Sequence, residues 1–222
     1  MSHVNKVRLP RDCKEHHENG KTTTGVYEIY PYETVPSSIS VLCDMETLNR
    51  GWTAIQKRVD GSVSFNKTWD EYKAGFGIPG EEDFWIGNEL IYQLTKGNDS
   101  SLYVSITLVN GTTLYEVYER FSISNETEKY QLALSGIPTG TLGDKMQEWG
   151  AGGNFFSTWD RDHDRMGTSN CAGSYGGGWW FSACYYAFLN GQWASTDWFQ
   201  PWFRIVHKGS DIMATKMMIK RF

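Results

Sequence analysis

Three aspartates alternate with single other residues in one short segment, and this spacing is the clearest sign of chemistry in the sequence. They are Asp160, Asp162 and Asp164. Alternate carboxylates in a turn can direct their oxygens to one point, where they would repel one another without a cation. Calcium takes about six to eight oxygen ligands in a flexible geometry, and a turn at Gly167 would let backbone carbonyls complete the shell. The alternative is a solvated acidic turn whose charge is offset by the neighbouring arginines.

A glycine-rich, aromatic segment follows between two cysteines. It runs from Cys171 to Cys184 and contains Tyr175 and the pair Trp179 and Trp180. A loop closed by the cysteines would hold rings and backbone amides in fixed positions. That suits a sugar or a small acetylated group, because a ring can pack on the apolar face of the ligand while amides hold its carbonyl. The alternative is that the two tryptophans pack into the core.

Cysteine usage and glycosylation sequons together indicate a secreted, extracellular protein. Cys13 and Cys43 bring the cysteines to an even number, and none lies in a C-x-x-C pair typical of zinc or redox sites. Free buried thiols, or a metal site of Cys13 with His16 and His17, are the alternatives for the first pair. The polar first residues do not form a signal peptide, so we expect that a leader and an upstream oligomerising segment precede this chain. The sequons begin at Asn66, Asn98, Asn110 and Asn125.

Composition excludes several classes of function. The net charge of -5 argues against nucleic acid or an anionic membrane as the partner. No apolar run approaches the length of about 18 residues that a membrane span needs, so we expect no membrane insertion. The five histidines accompany no nucleophile, zinc-protease or phosphate-loop motif. Adjacent aspartates favour a cation site over the acid and base of a glycosidase. We therefore predict that the protein is not an enzyme.

The elements that must position these residues follow from the hydrophobic periodicity of the sequence. Thr68 and Glu71 form a capping box that predicts a helix ending near Gly75. A second short helix is predicted around Leu90, and Asn110-Gly111 predicts a two-residue hairpin turn. From about residue 135 regular patterns fade until the last strand, and a disulfide and a metal could both hold that part of the protein. Strands are predicted over 52–59, 102–108, 115–121, 130–134 and 214–220, which together give an α+β fold.

Short phrases spread over most of the sequence carry a family resemblance. They are Arg11-Asp12-Cys13, Leu42-Cys43-Asp44-Met45, Gly51-Trp52-Thr53, the stretch 56–62, Trp85-Ile86-Gly87-Asn88, the stretch 156–160, Asn170-Cys171-Ala172, Gly178-Trp179-Trp180, Leu189-Asn190-Gly191 and Met217-Met218-Ile219. With them the protein resembles the fibrinogen-related domains, which include the C-terminal globule of fibrinogen chains, ficolins, tachylectins, tenascins and angiopoietins. The resemblance implies one fibrinogen C-terminal-like domain over 8–222. Its expected parts are an N-terminal subdomain over 8–51, a central twisted antiparallel sheet with short helices over 52–134, and an irregular calcium- and ligand-binding subdomain over 135–222 whose last strand returns to the sheet.

The resemblance also implies the disulfides and the cation site. It pairs Cys13 with Cys43 and Cys171 with Cys184. It assigns calcium to the side chains of Asp162 and Asp164 and to the backbone carbonyls of Met166 and Thr168. This loop is one residue longer than in many relatives, so Ser169 is the alternative to Thr168.

The same resemblance places a ligand pocket beside the cation. Tyr175 matches a tyrosine that lines an acetyl-binding pocket in lectin members of the family. The backbone amides of Cys184 and Tyr185 match the donors to the acetyl carbonyl, and Trp198 is the expected aromatic from the stretch after Gly191. Two departures concern acetyl specificity: Tyr185 stands where many sugar binders have histidine, and the stretch after Gly191 is short and unlike the usual loop.

These expectations combine into one leading function and one alternative. The leading prediction is a secreted, calcium-stabilised pattern-recognition lectin domain of innate immunity that binds acetylated or other glycans. The alternative is an angiopoietin-like protein ligand for a cell-surface receptor, or an adhesion module. The loss of the pocket histidine at Tyr185 favours the alternative.

Overall fold

An antiparallel sheet of eight strands forms the centre of the computed structural model, which describes residues 9–32, 37–81, 83–97, 99–147, 151–195, 201–202, 204–208 and 211–222. The strand order is β1-β2-β3-β10-β5-β6-β9, with β4 paired to β3, and β7 and β8 form a separate ribbon. The strands are β1 Gly25–Ile29, β2 Ile39–Asp44, β3 Trp52–Arg58, β4 Phe84–Trp85, β5 Ser100–Leu108, β6 Thr113–Tyr118, β7 Arg120–Ile123, β8 Leu132–Ser135, β9 Thr139–Gly140 and β10 Ile212–Arg221.

The last strand of the protein lies in the middle of the sheet. In β10, Met217 pairs with Gln56 of β3 on one side and with Val104 of β5 on the other. Met217 and Met218 have no exposed surface. The predicted return of the last strand to the sheet is therefore confirmed, and the C-terminal residues complete the core.

The described residues include four short α-helices, and the second of them packs on the third. Thr68 caps α2 with the predicted capping box, since its hydroxyl and the Glu71 carboxylate each accept the other residue's backbone N–H. A helix around Leu90 is also confirmed. The helices are α1 Cys13–Glu18, α2 Trp69–Ala74, α3 Asn88–Thr95 and α4 Cys171–Tyr175, with a short 3-10 turn at Glu126–Glu128.

Two local predictions were wrong. Asn110-Gly111 does not form a two-residue turn, because Leu108 still pairs with Thr112 and Gly111 takes a φ of +84° in a three-residue loop. The alternating stretch 115–121 is not one strand either. The backbone leaves the main sheet after Tyr118 and pairs again in the β7–β8 ribbon. Alternation continues through the bend, so the pattern alone could not locate it.

Both implied disulfides are present. The Cα atoms of Cys13 and Cys43 are 5.3 Å apart, and those of Cys171 and Cys184 are 5.6 Å apart. The first bond attaches α1 to β2, and β2 pairs with β3 across the predicted boundary at residue 51. The sheet is therefore continuous between the N-terminal and central parts, while the boundaries of the subdomains remain a prediction.

The core is built largely from aromatic rings. Trp179 and Trp180 are buried, so the tryptophans that follow α4 pack inward, as the simpler of the two interpretations expected. Trp180 donates its indole N–H to the Tyr130 carbonyl at 2.8 Å and contacts Phe156 edge to face at 5.2 Å. These contacts join the segment that follows β9 to the β7–β8 ribbon.

Candidate functional site

Residues 151–195 have little regular structure, and their first part is held by hydrogen bonds within the stretch and by contact with helix α2. We call this stretch the irregular segment. Ser157 and Trp179 exchange two backbone hydrogen bonds of 2.9 and 3.1 Å. His163 donates its Nδ1–H to the Phe156 carbonyl at 2.9 Å, and its ring meets Trp69 edge to face at 5.2 Å. The acidic turn is thereby placed against helix α2.

Asp160 has one of its carboxylate oxygens bound at the start of helix α2. Its Oδ1 accepts the backbone N–H of Trp69 at 2.9 Å and the hydroxyl of Thr158 at 2.7 Å. It therefore satisfies a donor at the start of α2. The expectation that three alternating carboxylates converge on one point is wrong for Asp160, because a helix start from far earlier in the sequence takes its oxygen.

Asp162 and Asp164 do lie together. Asp162 accepts the backbone N–H of Asp164 at 3.1 Å, and Asp164 accepts the N–H groups of Met166 and Cys171 at 2.7 and 2.8 Å. Burial raises the pKa of Asp164, and the neighbouring charge of Asp162 raises it further, although the two backbone donors lower it. The charge of this pair is therefore incompletely compensated by the protein itself.

The donor set of this turn suits calcium. In the part of the chain that the structure describes, no three His, Cys, Asp or Glu side chains cluster as metal ligands. A cation would therefore need backbone carbonyls beside Asp162 and Asp164, and those of Met166 and Thr168 follow at once in sequence. A carboxylate has about four lone-pair sites, so the amides it accepts leave capacity for a metal. All donors are then oxygens, as calcium prefers.

Helix α4 joins the acidic turn to the expected ligand pocket. Its N-cap Asn170 accepts the N–H of Gly173 at 2.7 Å and donates to the carbonyls of Thr158 and Trp159 at 3.3 and 3.2 Å. The helix ends at Gly176, which takes a φ of +73°. With the disulfide at Cys171, these contacts hold the N-terminal end of the helix, and at the other end Gly176 donates its N–H to the Ala172 carbonyl at 2.9 Å.

Tyr175 and Tyr185 lie together, as the predicted pocket requires, but Tyr185 is packed inward. Their rings meet edge to face with centroids 5.0 Å apart, and Tyr185 also contacts Phe188 at 5.0 Å and Phe181 at 6.2 Å. Burial raises the pKa of the Tyr185 phenol, and the nearby Tyr175 adds to the shift. The Ala183–Cys184 peptide bond next to Tyr185 is cis. Trp198, the other expected pocket residue, lies outside the described residues.

Two large rings remain exposed at opposite ends of α4. Trp159, whose carbonyl contacts the N-cap, is 50% exposed, and Tyr175 at the C-terminal end is 42% exposed. The sequence analysis assigned no function to Trp159. Its position beside the acidic turn could have indicated a role in binding, but a tryptophan in an irregular segment is as readily a core residue.

Three of the four sequons fall in described parts of the chain. Asn66 and Asn110 are exposed. Asn125 is half-buried, and its side chain accepts from the Glu128 N–H at 3.1 Å and the Thr127 hydroxyl at 2.7 Å. Asn98 lies outside the described residues. No helix in the described ranges is long and apolar enough to cross a membrane.

Comparison with known proteins identifies relatives over nearly the whole chain. Residues 9–221 match the family described as fibrinogen beta and gamma chains, C-terminal globular domain. The chain is 44% identical over 192 residues to fibroleukin of Bos taurus, covering 85% of this chain and 43% of that protein. It is 41% identical over 217 residues to angiopoietin-2 of Homo sapiens, covering 95% of this chain and 42% of that protein. The chain thus spans less than half the length of these relatives.

Solved structures share the fold. The fibrinogen-like globe domain of human ANGPTL6 superimposes with a TM-score of 0.87 at 35% identity, covering 100% of this chain and 99% of that one. Lamprey fibrin D-dimer, complexed with the peptide ligand Gly-His-Arg-Pro-amide, gives a TM-score of 0.83 at 29% identity and covers 97% and 75%. The expected fold class, an antiparallel sheet with short helices in a fibrinogen-like globe, is confirmed.

Proposed function

Because the protein belongs to the family of C-terminal globular domains of fibrinogen beta and gamma chains, we propose that it is a secreted recognition module without catalytic activity. Its partner is a receptor protein on a cell surface, and its contact surface is the pair of exposed rings at the ends of α4. The observation that carries this proposal is the packing of the Tyr185 ring against Tyr175 and Phe188. The two disulfides support an extracellular setting.

The position of Tyr185 disfavours a small acetylated ligand. Its phenol ring is larger than the imidazole found in many sugar binders, and it lies half-buried between Tyr175 and the aromatic core. We infer that an acetyl group directed at the Cys184 and Tyr185 amides would displace this ring, which belongs to the same short stretch. That displacement would forfeit ring contacts worth about 0.5–1.5 kcal/mol each, which a single acetyl group can hardly recover.

The surface around α4 has the character of a protein contact. Trp159 and Tyr175 are large rings with few rotatable bonds, and such residues dominate the energetic centres of protein interfaces. The disulfide and the caps of α4 fix the backbone between them, which lowers the ordering cost of binding. The likeness to angiopoietin-2 and the peptide held by lamprey fibrin fit a module of this kind.

Calcium belongs to this proposal as a stabiliser of the surface. The proposed ligands are Asp162 and Asp164 through their side chains, with Met166 and Thr168 through their carbonyls. The ion would neutralise the two carboxylates. Asp164 also accepts the first N–H of α4 from Cys171, so its position and that of the helix are connected. Loss of the cation would therefore loosen the contact surface as well as the turn.

Glycan binding is the second candidate, and it rests on the exposed ring of Tyr175. That ring projects beside the glycine-rich end of α4, where an apolar sugar face could pack on it. A pattern-recognition lectin of innate immunity would use this ring with calcium and without the acetyl pocket. The protein would then recognise its glycan by stacking on the Tyr175 ring and not through hydrogen bonds to an acetyl carbonyl.

A parallel binding screen separates the two candidates. The domain is tested with calcium and with chelator against a glycan array and against a panel of displayed receptor ectodomains. We expect calcium-dependent binding to a receptor that Trp159→Ala and Tyr175→Ala each weaken by at least about tenfold, while the control Met213→Ala, on the exposed side of β10, has no effect. Calcium-dependent glycan binding that needs Tyr175 but not Trp159 would establish the second candidate instead.

A further inference from the structure

A cleft lies on the other side of Gly176, apart from the rings of α4. Its volume is about 450 Å³, within the range of pockets that hold small ligands. It is bounded by the loop that follows β3 and by the start of the stretch after Gly191. Its lining includes Arg58, Phe65, Asn66, Gln192 and Trp193.

The floor of the cleft is a guanidinium held between two rings. Arg58 lies over Phe65 at 4.1 Å and over Trp193 at 5.2 Å, and its side chain is only 3% exposed. Asp83, which is fully buried, faces the Arg58 Nε at 3.6 Å, and Arg58 Nη1 donates to the Gly191 carbonyl. The floor is therefore polar but balanced in charge, so it favours a neutral ligand over an anion.

The walls suit a pyranose ring. Trp193 offers a partly exposed aromatic face, while Ser64, Asn66 and Gln192 are exposed polar residues on the rim. A sugar presents an apolar face to an aromatic ring and hydroxyl or amide groups to polar neighbours. Gly61 lies so close to Trp193 that a Cβ there would be 2.4 Å from its Cδ1. The position of the ring is thus set by the loop opposite.

The sequon at Asn66 lies on the rim of this cleft. Asn66 donates its backbone N–H to Ser64 Oγ at 3.3 Å, and Lys67 donates to the Phe65 carbonyl at 2.9 Å. Tyr72 fixes that same carbonyl through a 2.7 Å hydrogen bond from its hydroxyl. A glycan on Asn66 would therefore begin at a defined place, next to the Trp193 face.

We propose that the cleft holds the first N-acetylglucosamine of an N-glycan attached to Asn66, packed on Trp193. Attachment makes the encounter intramolecular, so even a weak stacking contact is well populated at the high effective concentration of a tethered ring. A glycan from another molecule would have to compete with the sugar attached to Asn66 for the cleft. The glycan then joins the loop after β3 to the stretch after Gly191. This inference does not depend on the partner proposed above.

Asn110 provides a matched control within the same protein. It is also an exposed asparagine in a sequon, but it lies in the β5–β6 turn next to Gly111, around whose Cβ position nothing lies within 4 Å. The protein is expressed in a secretory host that attaches N-glycans, and site occupancy is measured by mass spectrometry. Release of each glycan from the folded protein by a glycan-cleaving amidase is then followed at both sites.

We expect release at Asn66 to be at least about tenfold slower than at Asn110, a ratio equal to about 1.4 kcal/mol. Trp193→Ala should bring the ratio to about one, and Trp193→Tyr, which keeps a flat ring, should retain most of the protection. Because Asn110 is measured in the same molecule, unfolding of a variant would accelerate both sites and be recognised. Equal rates in the wild type, or no glycan at Asn66, would overturn the proposal.

A second readout separates stacking from simple shielding of the site. In protein carrying isotopically labelled glycan, the first sugar at Asn66 should show ring-current shifts that Trp193→Ala removes and that the Asn110 sugar lacks. Slow release without such shifts would mean that Trp193 only obstructs the amidase, and the proposal would fail. Binding of free N-acetylglucosamine by Asn66→Gln, with no sugar on wild-type Asn66, would instead assign the cleft to an outside glycan.

Discussion

The sheet and the irregular segment are held together by different forces. In the sheet, β10 pairs along its length with β5 and over Thr215–Ile219 with β3, and its buried methionines fill the centre of the core. In the irregular segment, short bridges, one disulfide, two aspartates and rings packed edge to face or tilted do the same task. A ladder of backbone hydrogen bonds tolerates changes of ionic conditions, whereas a turn organised by carboxylates does not. The sheet is thus a frame held by backbone pairing, whereas we propose that the shape of the surface at the irregular segment depends on a few charges.

The largest expected effect is in the sheet. Met217→Ala removes a fully buried side chain from the central strand and should cost about 2–5 kcal/mol of unfolding free energy. Met213→Ala is the matched control, because Met213 lies in the same strand with 48% of its surface exposed, and it should change stability by less than about 0.5 kcal/mol. Urea unfolding measures both. Similar losses for the two variants would show that β10 is not the centre of the core.

Calcium should act on the irregular segment by mass action. At a calcium concentration of about 100 times its dissociation constant, the free energy of unfolding should rise by about 2.7 kcal/mol, and chelator should reverse the gain. Asp162→Asn should abolish the response. Asp160→Asn should keep it, because Asp160 is bound to the start of α2 and its amide replacement still offers an oxygen there. Thermal melting with each variant is the test, and the opposite ranking of the two variants would refute the assignment.

Acid should weaken the sheet through Asp44. Burial alone would raise the pKa of this carboxyl, but the 2.8 Å hydrogen bond from Lys216 and the backbone donors of Thr47 and Glu46 lower it on balance. Because the pKa is lower in the folded protein, the ionised carboxylate contributes stability. This contribution is fully present above the unfolded-state pKa of about 3.9 and is lost as the pH falls through the folded-state pKa. Asp44→Asn should remove this part of the pH dependence, at a cost near neutrality of about 1–3 kcal/mol.

The control for Asp44 is Asp70→Asn. The Asp70 side chain is 81% exposed and pairs with Arg161 at 3.3 Å, and such surface pairs contribute little. Unfolding free energies from about pH 6 down to about pH 3 should therefore run parallel for wild type and Asp70→Asn. A profile for Asp44→Asn that stays parallel to wild type over the same range would contradict the role of the Lys216 contact.

The sequence predicted the sheet better than the site, for physical reasons. A capping box and strict alternation are local signals, so α2, β3 and β5 could be located from them, whereas β1, β2 and β4 were not predicted. The place of β10 between β3 and β5 is a long-range pairing that periodicity does not specify, and the sequence predicted only that the last strand returns to the sheet. The bend after Tyr118 was missed because alternation continues on both sides of it.

The site depends even more on distant contacts. Asp160 has the same spacing as its neighbours, yet its oxygen is taken by Trp69, 91 residues earlier in the sequence. The substitution at Tyr185 was visible in the sequence as a departure from the sugar-binding pattern, but the burial of its ring was not. The spacing of the aspartates therefore indicated the acidic turn, while packing determines which of its carboxylates are available to bind a cation.

The most direct test of the proposed function is binding to immobilised N-acetylglucosamine with calcium present, by wild type, Tyr185→His and Tyr175→Ala. The packed Tyr185 ring predicts that wild type does not bind and that Tyr185→His gains binding, because the smaller imidazole frees the space beside Tyr175. Wild-type binding that is lost in Tyr175→Ala would contradict the receptor proposal and would show that the acetyl pocket works with a tyrosine in place of histidine.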